Sequence, residues 1–270
     1  MIKLLVTDLD GTLLDNDGVV SMPNRSAIAL LEAIGIPTIA ATARSPRSTR
    51  QISAIAGLGP MAVCANGAIV CNLETSVVIR HDLISRELSQ MVITTLRRKL
   101  RDVILAGEYL EEFYAESGFF KRRVPGLEVP EIERLEDYIE PGLTKIIARV
   151  PAITSEALRD QLSPCLSPFV DVTISGPDWI EFAAHGVSKA SGLAHVCELM
   201  GIDPTEVAAI GDQRNDLTML AFVGYPFTLR NAHPDLFKLT NAIVGENTRS
   251  GFAEIVPRIR ALLESNITNI

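Results

Sequence analysis

The sequence predicts an α/β fold, in which a doubly wound parallel sheet carries a smaller inserted α+β domain. Short apolar runs alternate with helical patterns in the first part of the chain, and the same rhythm returns near its end. Between these parts, strand patterns follow one another directly. Alternating strands and helices are typical of parallel sheets covered by helices, whereas consecutive strands favour an antiparallel sheet.

Local signals define the elements of the two outer segments. Each predicted strand is an apolar run too short for a helix, and the predicted helices combine apolar residues at helical spacing with Ser, Pro or Gly near an end. The predicted elements, in order, are strand 2–8, helix 23–35, strand 36–43, helix 45–59, strand 60–68, helix 188–201, strand 206–212, helix 215–224, strand 225–229, helix 233–240, strand 242–246 and helix 251–266.

The middle of the chain follows a different pattern. Its predicted elements are helix 85–101, strands 102–107, 109–116 and 143–150, helix 153–164, and strands 170–175 and 178–184. We therefore expect residues 82–185 to form a domain inserted into a core made of residues 1–81 and 186–270. Two basic stretches of the insertion, 97–101 and 121–123, are either solvated faces or anion sites.

Composition narrows the class of protein. The 270 residues carry a net charge of −8, with a pI near 5.1, which argues against a nucleic-acid binder. No apolar run reaches the ~18 residues of a membrane helix, and the first residues do not resemble a signal peptide. The four cysteines do not match zinc spacing. We expect a cytoplasmic protein without a membrane or nucleic-acid partner, either a monomer or a small homo-oligomer.

Polar residues lie near the ends of four predicted parallel strands. Asp8, Thr42, Asn66 and Asp212 lie at or within two residues of the ends of strands 2–8, 36–43, 60–68 and 206–212. The carboxyl ends of parallel strands lie at one edge of the sheet, where open α/β sheets bind ligands. The sequence therefore predicts one polar crevice built from segments that are about 200 residues apart along the chain.

The charges in this crevice predict a metal. Asp8, Asp10, Asp212 and Asp216 would concentrate negative charge, which raises their pKa values and costs stability. A divalent cation removes that cost, and all-oxygen ligands suit Mg²⁺. Lys189 adds a cation for a phosphate oxygen. Together with a hydroxyl group, this set suits phosphoryl transfer to a carboxylate nucleophile.

Four ordered segments resemble the motifs of the haloacid dehalogenase-like superfamily: "DLDGTLL", "ATAR", Lys189 and "GDQRNDLTML". The resemblance implies that Asp8 attacks phosphorus and becomes an aspartyl-phosphate. It implies that Asp10 protonates the leaving group, then activates water, and offers its backbone carbonyl to Mg²⁺. The superfamily's dehalogenases and ion-pumping ATPases carry a different residue where this chain has Asp10.

The resemblance also implies roles for the other motif residues. Thr42 would hydrogen-bond the phosphoryl group, and Lys189 would bind it and orient Asp8. Asp212 would ligate Mg²⁺, while Asp216 would hold metal-bound water or Lys189. The candidate residues for binding phosphate and substrate are Gly11, Thr42, Arg44, Asn66, Gly67, Lys189, Asn215 and Asn231. Two of these predictions have a purely structural alternative. Arg44 could form a structural ion pair, and Asn66 with Gly67 could form an ordinary turn.

The position of the insertion narrows the resemblance to the Cof-type phosphatases, whose α/β cap follows the third strand. The segments "NGAIV", "EFAAHGVSKASGL" and "RNAHPDLFKLTNAIVGENTRSGFAEI" also fit that group. Three residues depart from its pattern. Ala43 and Ala190 stand where Gly is usual, and Arg230 precedes the "NA" pair of Asn231 where a small residue is common.

The expected activity is Mg²⁺-dependent hydrolysis of small phosphorylated metabolites, sugar phosphates first. A narrower phosphatase for mannosyl-phosphoglycerate, sucrose phosphate, pyridoxal phosphate or a nucleotide remains an alternative on the same core. A phosphotransferase or mutase would need water to be excluded from the aspartyl-phosphate. A non-catalytic binder of phosphometabolites is the remaining alternative, although Asp8, Asp10 and Asp212 are all present.

Overall fold

The computed structural model describes residues 1–120, 129–174 and 178–267. The chain forms two compact units. The first, called the core unit below, comprises Met1–Arg80 and Ser188–Ile270, and the second, the inserted unit, comprises His81–Val187.

The first segment of the core unit alternates strands and helices as predicted, and a hairpin follows. Its elements are β1 (Leu4–Thr7), α1 (Met22–Ala33), β2 (Thr38–Ala41), α2 (Pro46–Ala56), β3 (Met61–Cys64), β4 (Ile69–Asn72) and β5 (Val77–His81). The Ser21 hydroxyl caps α1 by accepting the Asn24 N–H, and α2 ends at Gly57 in the left-handed conformation. Strands β4 and β5 were not predicted, although the β-branched run of β5 is typical of a strand.

The inserted unit follows the predicted α+β order. Its elements are β6 (Ile84–Ser85), α3 (Arg86–Lys99), β7 (Ile104–Tyr109), β8 (Glu112–Glu116), β9 (Glu131–Ile132), β10 (Gly142–Leu143), β11 (Lys145–Arg149), α4 (Ser155–Leu166), β12 (Val170–Ile174) and β13 (Ile180–Ala184). Six strands form a sheet in the order β12-β13-β11-β7-β8-β9, in which every pair except β8 with β9 is antiparallel. Apolar residues of α3, α4 and one face of this sheet form the core of the unit.

One of the two basic stretches of the insertion has a structural partner. Arg97 in α3 binds the carboxylates of Glu116 and Glu136 within the inserted unit. Glu116 also accepts the backbone N–H groups of Leu105 and Leu135. This network favours a structural role for Arg97 over an anion site. The other stretch, 121–123, lies outside the described residues.

The last segment returns to the core unit. Its elements are α5 (Lys189–Met200), β14 (Val207–Gly211), α6 (Leu217–Phe222), β15 (Tyr225–Leu229), β16 (Ile243–Val244) and α7 (Ile255–Ile267). Two predicted helices are shorter than expected. The segment predicted as helix 233–240 contains only a 3₁₀ turn, Pro234–Lys238, and a 3₁₀ turn at Arg214–Asp216 precedes α6. The apolar run of the first segment is short, which favours a single 3₁₀ turn over an α-helix.

The core sheet has eight strands in the order β16-β15-β14-β1-β2-β3-β4-β5. The six strands from β16 to β3 are parallel, and β4 runs antiparallel to β3. Helices of the core unit pack on this sheet, which confirms the predicted fold class. In the described ranges 1–120, 129–174 and 178–267, we find no helix whose length and apolar character would allow it to cross a membrane.

Candidate active site

The predicted strand-end residues meet at one edge of the core sheet. β1 lies between β14 and β2, with Thr7 paired to Ile210 on one side and to Ala40 on the other. The loops after these strands therefore begin side by side, and Asp8 lies between Asp212 and Thr42. Asn66 follows β3 in a short 3₁₀ turn. The sheet thus brings together residues from four separate segments, as predicted.

A buried lysine joins two of the acidic residues. The Lys189 ammonium group donates to Asp8 Oδ1 and to Asp216 Oδ1, both at 2.6 Å. Lys189 is the first residue of α5, where a capping box between Ser188 and Ser191 fixes the start of the helix. The lysine side chain is 0% exposed, so water does not screen its two ion pairs.

The second carboxylate oxygen of Asp216 also accepts hydrogen bonds. Asp216 Oδ2 accepts the backbone N–H groups of Asp212 and Gln213, at 3.0 and 2.9 Å. The carboxylate therefore ties the loop after β14 to Lys189. Of the two roles that the resemblance implies for Asp216, this geometry favours holding Lys189.

Asp212 is held from two sides by residues that the sequence analysis did not single out. The Thr12 hydroxyl donates to Asp212 Oδ1 at 2.8 Å, and the Gln213 side-chain amide donates to Oδ2 at 3.2 Å. Thr12 lies in the segment "DLDGTLL" and Gln213 in "GDQRNDLTML". Their places in these motifs were the sequence signal that could have identified them. These bonds fix the orientation of the Asp212 carboxylate.

Burial and like charge govern the ionisation of the acidic group. Burial raises the pKa of Asp8 well above its ordinary value, Lys189 opposes that rise, and the charges of Asp216 and Asp212 add to it. Burial, followed by the charge of Asp216, raises the pKa of Asp212 to about 6. Burial alone would lower the pKa of Lys189, but the charges of Asp216 and Asp8 hold it above its ordinary value.

These carboxylates fit a divalent cation. One oxygen from each of Asp8, Asp212 and Asp216 lies within 4.8 Å of the others, and all three residues are buried. A hard cation prefers such oxygen ligands, and its charge would offset the repulsion that raises the pKa values. The Asp10 side chain binds Arg44 instead, so Asp10 would ligate the cation only through its backbone carbonyl.

Asp10 forms an ion pair with Arg44. Arg44 Nε and Nη2 donate to Asp10 Oδ2 and Oδ1, at 2.7 and 2.6 Å. The Arg44 backbone N–H donates to the Thr42 hydroxyl oxygen at 3.1 Å. Arg44 therefore lies beside both Asp10 and Thr42, which it connects through its side chain and its backbone.

Asn66 and Gly67 form a close contact with the start of α5. Asn66 is left-handed, with φ 57°, and its side-chain oxygen accepts the Asn215 side-chain amide at 3.0 Å. A Cβ on Gly67 would lie 1.9 Å from the Ser188 carbonyl oxygen. Gly67 is thus required for the approach of this turn to Ser188, next to Lys189.

Asn231 ties the loop after β15 to the loop after β1. Its side-chain amide donates to the Gly11 carbonyl at 2.9 Å, and its side-chain oxygen accepts the Asn247 N–H at 3.1 Å. Gly11 has φ +81°, and a Cβ there would lie 2.4 Å from Asp212 Oδ2. Glycine therefore allows the first loop to approach the Asp212 carboxylate.

Gly11→Ala is expected to destabilise the core unit more than Gly18→Ala. Gly18 has φ +75° with no atom within 4 Å of a Cβ, so its substitution measures backbone strain alone, about 1–2 kcal/mol. The clash with Asp212 should add about 1–3 kcal/mol at Gly11. Denaturant unfolding of both variants gives the two free energies. Equal values would show that Asp212 does not restrict this position.

A polar cavity of about 490 Å³ opens beside Asp10, Gly11 and Asp212 on the core unit. The other residues that line it all carry amide, hydroxyl or carboxylate groups: Asn16, Gln213, Asn231, Glu246, Asn247 and Thr248. The volume suits a small molecule, and the lining offers many hydrogen-bonding groups.

Comparisons with known proteins identify the family. The sequence pattern of the haloacid dehalogenase-like hydrolases matches residues 5–256. A 5-amino-6-(5-phospho-D-ribitylamino)uracil phosphatase of Bacillus subtilis is 26% identical over 257 residues, which cover 94% of each chain. A phosphoglycolate phosphatase of Methanopyrus kandleri is 28% identical over 270 residues, 98% of each chain.

A solved structure shows the same fold. A haloacid dehalogenase-like hydrolase of Bacteroides thetaiotaomicron superposes with a TM-score of 0.81 at 23% identity, covering 96% of this chain and 100% of that one. Together with the family pattern, it confirms the resemblance drawn from the sequence motifs. The chain belongs to the haloacid dehalogenase-like hydrolases, and the predicted enzyme class, a phosphatase of this family, is confirmed.

Proposed function

We propose that this phosphatase depends on Mg²⁺ and hydrolyses small phosphorylated metabolites, with sugar phosphates as the preferred class. The observation that carries the proposal is the buried group of Asp8, Lys189 and Asp212, in which a carboxylate bound to a lysine stands beside a second carboxylate. Such a group supplies both a nucleophile and ligands for a cation at one point.

Asp8 is assigned the role of nucleophile. Lys189 fixes its Oδ1, and we assign the attack to Oδ2. As the bond from Asp8 to phosphorus forms, the bond from phosphorus to the ester oxygen breaks. The Asp10 carboxyl group donates a proton to that oxygen, which leaves as an alcohol. An aspartyl-phosphate on Asp8 remains.

The second step regenerates the enzyme. The Asp10 carboxylate takes a proton from water while the water oxygen bonds to phosphorus. The bond between phosphorus and Asp8 breaks, and inorganic phosphate leaves. Lys189 and the Thr42 hydroxyl would contact the phosphoryl oxygens during both steps.

The metal would be held by Asp8 and Asp212, with the backbone carbonyl of Asp10. When bound, Mg²⁺ neutralises phosphoryl oxygens and the nearby carboxylates. Asp216 orients Lys189 and the loop that carries Asp212. The proposal therefore assigns Asp216 to support of the site.

The cavity supports the choice of substrate class. Its amide and hydroxyl groups suit the hydroxyls of a sugar or polyol, while the carboxylate of Glu246 would repel a second anionic group. One relative is named for a phosphorylated ribityl compound, which carries such hydroxyls. We further propose that the inserted unit contributes to specificity, as the resemblance to Cof-type phosphatases implies.

The test is phosphate release from a panel of esters, with Mg²⁺ and with a chelator. The panel comprises ribitol 5-phosphate, glucose 6-phosphate, phosphoglycolate and p-nitrophenyl phosphate. We expect release to require Mg²⁺, to be restored when Mg²⁺ exceeds the chelator, and to favour the two polyhydroxylated esters over phosphoglycolate. A rate that the chelator does not change would contradict the metal dependence, and a preference for phosphoglycolate would contradict the substrate class.

A further inference from the structure

The two carboxylates of the first motif have different cationic partners. Asp8 pairs with Lys189, which is fully buried, whereas Asp10 pairs with Arg44 at the surface. The side chains of Arg44 and Asp10 are 34% and 56% exposed. The division matches the two roles proposed above, because a proton donor needs access to the leaving group, whereas a nucleophile needs one fixed position.

The Asp10 side chain needs an external support. Its backbone is fixed by a bridge to Leu14, but more than half of the side chain is exposed. An exposed aspartate samples several rotamers, and the charges of Asp8 and Asp212 repel its carboxylate. The position that Asp10 takes therefore depends on the group that binds both of its oxygens.

The backbone of Arg44 is fixed by hydrogen bonds, so its side chain can provide that support. Its N–H donates to Thr42 Oγ1 at 3.1 Å, and its carbonyl accepts the Ala65 N–H at 2.9 Å. The backbone of Arg44 is thus held between the loops after β2 and β3. A planar guanidinium that binds a carboxylate through two parallel hydrogen bonds fixes both the position and the plane of that carboxylate.

The same geometry argues against the expected role of Arg44 in phosphate binding. Its positive charge is matched by the Asp10 carboxylate, which accepts two of its hydrogen bonds. The ion pair as a whole offers no net charge to a phosphate. In the proposed function, Lys189 and a bound Mg²⁺ would supply positive charge to the phosphoryl group.

We propose that Arg44 is a positioning residue for Asp10 and does not bind the transferred phosphoryl group: one Arg44 N–H keeps its hydrogen bond to the Asp10 carboxyl group, while the other Asp10 oxygen leaves Arg44 and carries the proton to the leaving oxygen. This inference rests on the phosphatase mechanism proposed above. It replaces the phosphate-binding role expected for Arg44 from the sequence.

The test compares esters that differ in their need for a proton. An alkyl phosphate needs proton donation to its leaving oxygen, while p-nitrophenyl phosphate releases a stabilised anion and needs little. We expect Arg44→Ala to lower kcat/KM for the fastest alkyl phosphate of the panel by about 10- to 100-fold, part of the usual contribution of general acid catalysis. We expect p-nitrophenyl phosphate to lose about threefold or less, since its leaving group does not need Asp10.

Two variants and one inhibitor complete the comparison. Arg44→Lys should recover only part of the alkyl phosphate activity, because lysine provides a cation without the planar pair of donors. Arg47→Ala, which removes an exposed arginine of α2, should leave both esters unchanged. Inhibition by inorganic phosphate should be the same in Arg44→Ala as in the wild type. Equal losses for both esters, with weaker phosphate inhibition, would overturn the proposal in favour of phosphate binding.

A crystal structure of Arg44→Ala separates this inference from the proposed function. We expect Asp10 to occupy more than one rotamer while Asp8 and Lys189 keep their positions. A single, unchanged Asp10 rotamer would overturn the positioning role even if the variant were less active. A wild type that hydrolyses no ester would instead contradict the proposed function, whatever the rotamer of Asp10.

Discussion

Asp8→Asn is expected to lower kcat/KM for phosphate esters by about 10⁴-fold or more, as the loss of a nucleophile does in other enzymes. The amide keeps the shape of the side chain, and its oxygen can still accept from Lys189. It cannot form the bond to phosphorus that the proposed first step requires. The loss should therefore appear with every ester, including those that need no proton donation.

The same substitution should not destabilise the fold. Burial and the neighbouring carboxylates raise the pKa of Asp8, which means that the site disfavours its charged form. A neutral isostere removes that unfavourable term, so the free energy of unfolding should stay level or rise. The raised pKa also determines how the effect changes with pH. As pH rises above the ordinary pKa of aspartate, the charged Asp8 costs the wild type more stability. The gain in free energy of unfolding from Asp8→Asn should therefore grow as pH rises.

Asp17→Asn serves as the matched control, because it changes an exposed acid on the same loop. It should leave both activity and stability unchanged. Activity of Asp8→Asn within about tenfold of the wild type would contradict the role of Asp8 as nucleophile, because the loss of a nucleophile costs far more. A joint loss of activity and stability would contradict the expected effect of the neutral side chain.

Lys189→Met is expected to destabilise the core unit by about 3–5 kcal/mol, the usual cost of leaving a buried charge without its partner. Lys189 is fully buried and binds both Asp8 and Asp216 at 2.6 Å. Methionine fills much of the same space but leaves two carboxylates facing one another. Activity should be lost as well, because the lysine orients Asp8.

An exposed pair of the same length is the control. Lys238 binds Asp235 at 2.6 Å, but its side chain is 75% exposed. Lys238→Met should cost no more than about 1 kcal/mol, because water screens surface pairs. Denaturant unfolding of both variants tests the difference, and equal costs would show that burial does not determine the strength of the Lys189 pairs.

A second substitution and a change of pH separate charge from packing. Asp216→Asn added to Lys189→Met should recover part of the lost stability, because one uncompensated carboxylate is removed. Without Lys189, the pKa of Asp8 rises further above its unfolded value, so the variant should lose stability as pH rises and regain it in acid. A cost that does not change with pH would indicate a packing defect.

The sheet and the place of the site were predictable because they follow from patterns along the chain. Asp8, Thr42, Asn66 and Asp212 follow short apolar runs, and parallel strands bring their carboxyl ends to one edge. No contact had to be known for this inference. The resemblance of the ordered motifs added expected roles for the individual residues.

The pairing of side chains was not predictable in the same way. Arg44 had two interpretations in the sequence, and its two hydrogen bonds to Asp10 were visible only in the structure. Likewise, the contact of Thr12 with Asp212 spans 200 residues of sequence and depends on the rotamers of both side chains. A Cβ on Gly67 would lie 1.9 Å from the Ser188 carbonyl oxygen, a contact that the sequence pattern did not indicate. Such contacts are set by packing between loops, which leaves no periodic signal.

The most direct test of the account is to trap the phosphoryl group on Asp8. Asp10→Asn treated with Mg²⁺ and acetyl phosphate, whose leaving group needs no proton, should accumulate the aspartyl-phosphate because water is no longer activated. Reduction with borohydride followed by peptide mapping should then find homoserine at position 8. A phosphoryl group on another residue, or steady hydrolysis of esters by the wild type in the complete absence of a covalent adduct in Asp10→Asn, would contradict the central claim.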